Sequence, residues 1–161
     1  MPIEPIHVRT AAPDDARLIL ELIRGLASYE KLSDQVIATE ERLREHLFGE
    51  RRYAEALIAE HDGLPAGYAL FFHSYSTFLA LPGLFLEDLF VLPELRARGI
   101  GRALLQALAK LAVERGYGRV EWAVLDWNDP AIGFYRSIGA EPVAGWTSYR
   151  LAGDALRRLG G

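Results

Sequence analysis

Two hydrophobic periods alternate along the chain. "IHVRT" (residues 6–10) places Ile6, Val8 and Thr10 at alternate positions, the period of a short strand. Pro13, Asp14 and Asp15 read as the first turn of a helix whose inner stripe is Leu18, Leu22, Ile23 and Leu26. After a polar connection around Ser33 and Asp34, "TEERLREHLFG" predicts a second helix, with Thr39 as N-cap, Glu40 and Glu41 in the first turn and Gly49 as the stop. "YAEALIAEHDGLPAGYALFFHSYS" is two apolar runs separated by His61-Asp62-Gly63-Leu64-Pro65, and Asp-Gly between such runs predicts an antiparallel hairpin of strands two and three. Leu84 to Leu92 reads as strand four. Gly99 to about Arg115 then has Leu104, Leu108, Leu111 and Ala112 at helical spacing, ended by Gly116. "RVEWAVLDW" predicts strand five, "DPAIGFYRSIG" a short helix stopped at Gly139, and "WTSYRL" a last strand. The predicted order is β-α-α-β-β-β-α-β-α-β, a mixed α/β fold with an antiparallel front half and a β-α-β-α-β rear half.

Strand four contains an anomaly, because Glu87 and Asp88 sit inside its apolar run. Carboxylates are rarely buried without compensation. Strict alternation would turn Glu87 with Phe85 and Leu89, and Asp88 with Leu86 and Phe90. A cleft opened here would let one or both face substrate or water.

Composition narrows the possibilities. The chain has 161 residues, half of them hydrophobic and a quarter charged, which predicts a single domain over 1–161 with a sizeable core. A formal net charge of −4 provides no positive blanket for nucleic acid or an anionic membrane, and suits a cationic small molecule slightly better. Cysteine is absent, so no disulfide, cysteine thioester or CxxC pair is available. No GxSxG surrounds a serine, and His7, His46, His61 and His73 stand singly, so no metal is expected. "MPIEPIHVRT" lacks the pattern of a secretory leader and no long apolar stretch occurs, from which a cytoplasmic location is expected.

"RARGIG" (Arg96 to Gly101) follows a strand and opens a helix, where backbone N–H groups and the helix dipole favour an anion. Glycines at 99 and 101 allow close approach of a pyrophosphate, and Arg96, Arg98 and Arg102 add positive charge. GxxxxGK[ST] is absent, and Leu104 stands where a dinucleotide fingerprint needs a small residue. A glycine-softened helix entry with surface arginines would show the same letters.

With Arg96, Gly99 and Gly101 in the pattern Arg/Gln-x-x-Gly-x-Gly/Ala, the chain resembles the GCN5-related N-acetyltransferases. The segments "YEKLSDQVIATEERL", "LEDLFV", "RARGIG" and "LDWNDPAIGFYRSIGA" bring it nearer to the diamine and polyamine branch, over roughly Val8 to Leu151. The resemblance implies a mostly antiparallel central sheet flanked by helices and splayed between strands four and five, usually at a bulge in strand four. Acetyl-CoA would enter that gap like a strand, pairing with backbone near Leu89, Phe90 and Val91, with its pyrophosphate on the loop and helix start formed by Arg96, Ala97, Arg98, Gly99, Ile100, Gly101 and Arg102.

The resemblance also implies roles for single side chains. Glu87 would be the base that takes a proton from the amine, directly or through a water, since an alkylammonium of pKa about 10.4 cannot attack a thioester. Tyr135 would return a proton to the coenzyme A thiolate, although its spacing with Ile132 and Ile138 equally suits packing. Asn128 would bond the pantetheine arm and also suits a helix N-cap beside Pro130. Arg136 would reach a coenzyme A phosphate or remain a solvated arginine. Tyr29, Glu30, Glu87 and Asp88 would line the amine site. Where the spermidine/spermine enzymes carry an aspartate-tryptophan pair, this chain has Ser76, Thr77 and Phe78, which points to a shorter amine of the thialysine, ornithine, lysine or diamine type. A homodimer is implied as well. A peptide acetyltransferase and a non-catalytic acyl-CoA-binding module are the alternatives.

Overall fold

The computed structural model describes residues 5–161; residues 1–4, part of the stretch read above as free of a leader, lie outside the described residues. The backbone forms two compact units, one ending at Ala123 and one spanning Val124–Gly161.

The first unit is built on a five-stranded sheet in the order β1 (Ile6–Thr10), β2 (Glu55–His61), β3 (Leu64–Ser76), β4 (Leu81–Val91), β5 (Val120–Trp122). All neighbours are antiparallel except β4 and β5, which run parallel. The predicted hairpin closes on Asp62 (φ 55°) and Gly63 (φ 74°), and this pair of left-handed residues matches the twist of the flanking strands. Helix α1 (Ala16–Tyr29) is entered through a 3-10 turn at Pro13–Asp15. Arg9 of β1 fixes that entry, donating to Asp15 through both terminal nitrogens at 2.7 and 2.9 Å while its Nε bonds Glu60 of β2. Helix α2 (Glu40–Phe48) starts as predicted, with Thr39 Oγ1 accepting from Arg42 N at 3.2 Å.

These two helices cover one face of the sheet. Ile19, Leu22 and Leu47 cluster there with Ala56, Ile58, Tyr68 and Phe90. The buried side of α1 differs from the predicted stripe: Ala16 and Ile19 are fully buried, whereas Leu18, Ile23 and Leu26 pack at the margin. Contact with both the sheet and α2 widens the buried arc beyond one stripe. Helix α3 (Ile100–Arg115) covers the opposite face with Ile100, Leu104 and Leu108 buried; Ala107 and Leu111 line a cavity there with Leu57 and Phe71. At its C-terminal end Arg115 makes a two-point ion pair with Glu55 of β2, at 2.9 and 2.7 Å.

β4 carries the irregularity that matters. Leu70 lies opposite Asp88, but Phe71 lies opposite Leu86, which leaves Glu87 as the extra residue of a bulge. β5 pairs only with Leu84, Phe85 and Leu86, so parallel pairing stops where the bulge begins. The splay between strands four and five is therefore present, and β5 is a three-residue strand instead of the nine residues expected. β4 in turn starts earlier than expected, at Leu81.

The second unit contains α4 (Asp129–Ser137) and α5 (Gly153–Gly160). Gly139, at φ 90°, ends α4 as expected. "WTSYRL" forms no strand: Trp146 is 83% exposed and Tyr149 94%. Alternating side chains specify a strand only where a partner completes the ladder, and the described residues offer this segment none. Helix α5 was not expected from the sequence; it has eight residues, buries none of them, and carries an Asp154–Arg157 ion pair on its surface.

Candidate active site

The bulge separates the two carboxylates. Leu86 lies opposite Phe71 on the α3 face, while Asp88 and Phe90 lie opposite Leu70 and Tyr68 on the α1–α2 face. Asp88 thus shares a face with Phe90 but not with Leu86, because the inserted residue breaks the alternation that the sequence reading assumed. Glu87 is exposed and Asp88 is half-buried.

Tyr68 sits beneath this point, fully buried, and its phenol donates to Asp88 Oδ2 at 2.8 Å. Burial, with the Asp88 charge and hydrogen bond, pushes the phenol far above its ordinary range. Burial also pushes Asp88 up; the Tyr68 donor opposes the rise and the Glu87 charge adds to it. Glu30, which follows the last residue of α1, is raised as well, by burial first and then by the charge of Asp88. Two partly desolvated carboxylates therefore disfavour each other's ionisation, and a cation brought between them would gain from both.

The aromatic wall and the anion loop meet at one side chain. Arg96 places its guanidinium 4.4 Å from the Tyr29 ring centroid and 5.6 Å from that of Phe90, and its Nε donates to Val91 O at 3.2 Å. The residue expected in the cofactor loop thus also touches Tyr29, expected at the amine. The loop itself turns through Ala97 (φ 63°) and Gly99 (φ 85°). A Cβ on Gly99 would meet only Ile6 Cδ1, at 3.9 Å, so the left-handed backbone and not space favours glycine there. Buried Ile100 pins the start of α3, while Arg96, Arg98 and Arg102 are exposed. A helix N-terminus with free first-turn donors, flanked by arginines, fits a pyrophosphate.

In the second unit, Asn128 directly precedes α4 and is buried; its carbonyl accepts from Ile132 N at 3.0 Å, although its side chain does not cap the helix. Tyr135 is half-buried with its ring 5.8 Å from that of Phe134, and Arg136 is exposed. The Ser76-Thr77-Phe78 departure is a polar turn: Ser76 Oγ accepts from Leu79 N at 3.2 Å and from Arg119 Nη2 at 3.0 Å, with Phe78 99% exposed. Among the described residues, no group of three or more His, Asp or Glu is arranged to hold a metal, and no helix is long and apolar enough to cross a membrane.

Sequence reasoning missed Tyr68, whose signal was one hydroxyl in an apolar strand, and the second contact of Arg96. The raised Asp88 has a consequence for stability. A carboxyl whose folded pKa lies above its unfolded value favours folding only while protonated, and the penalty grows as pH rises through the folded pKa. Asp88→Asn is therefore expected to melt higher than wild type at pH 7 and equally at pH 3, as thermal scans at the two values would show.

An acetyltransferase (GNAT) family model matches residues 21–140. The chain is 40% identical to a thialysine N-epsilon-acetyltransferase of Bos taurus, over 97% of this chain and 98% of that protein. It is 34% identical to an L-ornithine N5-acetyltransferase of Arabidopsis thaliana, over 95% and 87% of the two chains. Among solved structures, an integron cassette protein from the mobile metagenome of V. cholerae superposes with a TM-score of 0.81 at 24% identity, covering 96% of this chain and 97% of that one, a likeness of fold. Splayed strands, a glycine-turned helix entry and near full-length similarity agree: the chain belongs to the acetyltransferase (GNAT) family, whose members transfer an acetyl group from acetyl-CoA.

Proposed function

We propose that this enzyme acetylates the side-chain amine of a small cationic amino acid or diamine, of the thialysine, ornithine or lysine type, by direct attack in a ternary complex. The observation that carries the reading is a pair of half-buried carboxylates, Asp88 just past the point where β5 leaves β4 and Glu30 at the end of α1, near enough that the Asp88 charge acts on Glu30. Acetyl-CoA supplies the activated acetyl group. Its pantetheine arm would pair with β4 backbone near Leu89, Phe90 and Val91, and its pyrophosphate would rest on the loop from Arg96 to Gly101 and on Arg102, with Asn128 and Arg136 as further contacts.

In this reading Asp88 and Glu30 hold the ammonium against the Tyr29 ring, and exposed Glu87 takes the proton, directly or through a water, before the amine attacks. Tyr135 is the proposed acid for the departing thiolate, on the strength of its motif. The short polar turn at Ser76 carries no acidic group for the far end of a long polyamine. A panel of amines tests this directly: kcat/KM is expected to be highest for thialysine, lysine or ornithine and at least about tenfold lower for spermine and a short lysine peptide. A preference for the peptide would support the protein-acetylating alternative, and acetyl-CoA binding without turnover the non-catalytic one. A homodimer belongs to the same proposal, supported by the exposed Trp146, Tyr149, Leu156 and Leu159; light scattering would return twice 17.9 kDa, and a monomer mass would contradict it.

A further inference from the structure

We propose that Tyr68 is a positioning residue of the amine site: its buried phenol, donating to Asp88 Oδ2 at 2.8 Å, fixes the Asp88 carboxylate in the orientation that meets the substrate ammonium. The proposal rests on the reading of Asp88 as part of that site. It adds a residue that never touches the amine itself.

The register makes the pair. Tyr68 lies opposite Phe90 and Leu70 opposite Asp88, so phenol and carboxylate occupy one face as a diagonal pair across adjacent strands. Tyr68 is 0% exposed, and a phenol that deep in a core needs an acceptor. A hydrophobic core alone would be served by phenylalanine. The hydroxyl engages one carboxylate oxygen and leaves the other to serve an ammonium. Because burial drives the phenol far upward, it remains a protonated donor at any pH where the enzyme works.

The groups facing Asp88 define what else can titrate there. Glu30 approaches from the end of α1, Glu87 from β4 itself, and Arg96 lies over Tyr29 and Phe90 from the loop after β4; α2 contributes apolar Leu47 to this face. Burial and the Glu87 charge raise the energy of a charged Asp88, and the Asp88 charge in turn raises that of a charged Glu30. The phenol is the contact that lowers the energy of charged Asp88.

Tyr68→Phe keeps the ring and deletes the donor, so it separates positioning from packing. In the pH profile of kcat/KM for the amine, the acidic limb assigned to Asp88 is the one that Asp88→Asn removes. Tyr68→Phe is expected to move that limb up by about one to two pH units, the size of a hydrogen bond to a charged group. On the limb, KM for the amine would rise about 10- to 100-fold, with kcat at saturating amine and KM for acetyl-CoA within about twofold of wild type. Substrate-free titration of the Asp88 carboxyl carbon by NMR should show the same upward shift. 3-Fluorotyrosine at position 68, a stronger donor of nearly the same volume, should move the limb the opposite way and serves if Tyr68→Phe folds poorly.

The outcomes separate cleanly. If Asp88→Asn weakens amine binding but neither change at position 68 moves the limb or the carboxyl titration, Tyr68 only packs and this inference falls alone. If Asp88→Asn leaves the amine KM and the limb unchanged, the amine-site reading fails, and the positioning role falls with it.

Discussion

Replacing Glu87 with glutamine is expected to lower turnover of a small amine at pH 7 by roughly 10²- to 10³-fold, the range for removal of a positioned general base. Acetyl-CoA affinity should stay unchanged. Glutamine keeps the length and the hydrogen-bonding oxygen but cannot take the proton that an ammonium of pKa about 10.4 must lose before it attacks. Glu87 is the extra residue of the β4 bulge and is exposed, so it can exchange protons with solvent, whereas Asp88 is half-buried against Tyr68. The division of labour follows: one carboxylate to carry protons, the other to hold charge. Part of the loss should be recovered as pH rises towards 9, where more amine arrives unprotonated. Wild-type turnover in Glu87→Gln at pH 7 would place the base elsewhere.

A second large effect is expected from one methyl group on β3. Gly67 lies opposite Val91, and a Cβ there would stand 2.4 Å from Phe90 O and 3.1 Å from Val91 Cα. Both neighbours are backbone of the strand expected to pair with the cofactor, so neither can rotate aside. Gly67→Ala should destabilise the fold by about 1–3 kcal/mol, as overpacked sites do. It should also weaken acetyl-CoA binding several-fold, since a shift of Phe90 and Val91 away from β3 would move the proposed pantetheine edge of the same strand. Gly133→Ala is the matched comparison, because nothing lies within 4 Å of its Cβ and alanine favours a helix interior. Urea denaturation with calorimetric titration of acetyl-CoA on both variants checks the pair. Equal stability for Gly67→Ala and wild type would mean that β3 and β4 shift apart more easily than their ladder implies.

Much of the first unit was legible because its signals are local. Asp62-Gly63 fixes a two-residue hairpin, Thr39 caps α2, and Gly99 and Gly116 bound α3, each by a conformation or hydrogen bond formed within a few residues. The side assigned to Asp88 was not legible. A bulge is a register event between two strands, and "LEDLF" read alone shows only alternation. β5 was overlong for a related reason: "RVEWAVLDW" is apolar enough for nine strand residues, but pairing ends where β4 bulges. "WTSYRL" has strand composition without a partner, and α5, two short turns between glycines, has no apolar stripe that packs. At the site, carboxylates and glycines announced themselves by type. Tyr68 could not, since what distinguishes it is the oxygen 2.8 Å away.

The most direct measurement combines enzyme, acetyl-CoA and a small diamino acid such as thialysine, and compares coenzyme A released with the acetylated product, located by mass spectrometry. The account predicts one acetyl group on the side-chain nitrogen per coenzyme A released, with release dependent on the amine. Amine-independent release, acetylation at the α-nitrogen, or no product from any small amine would contradict it.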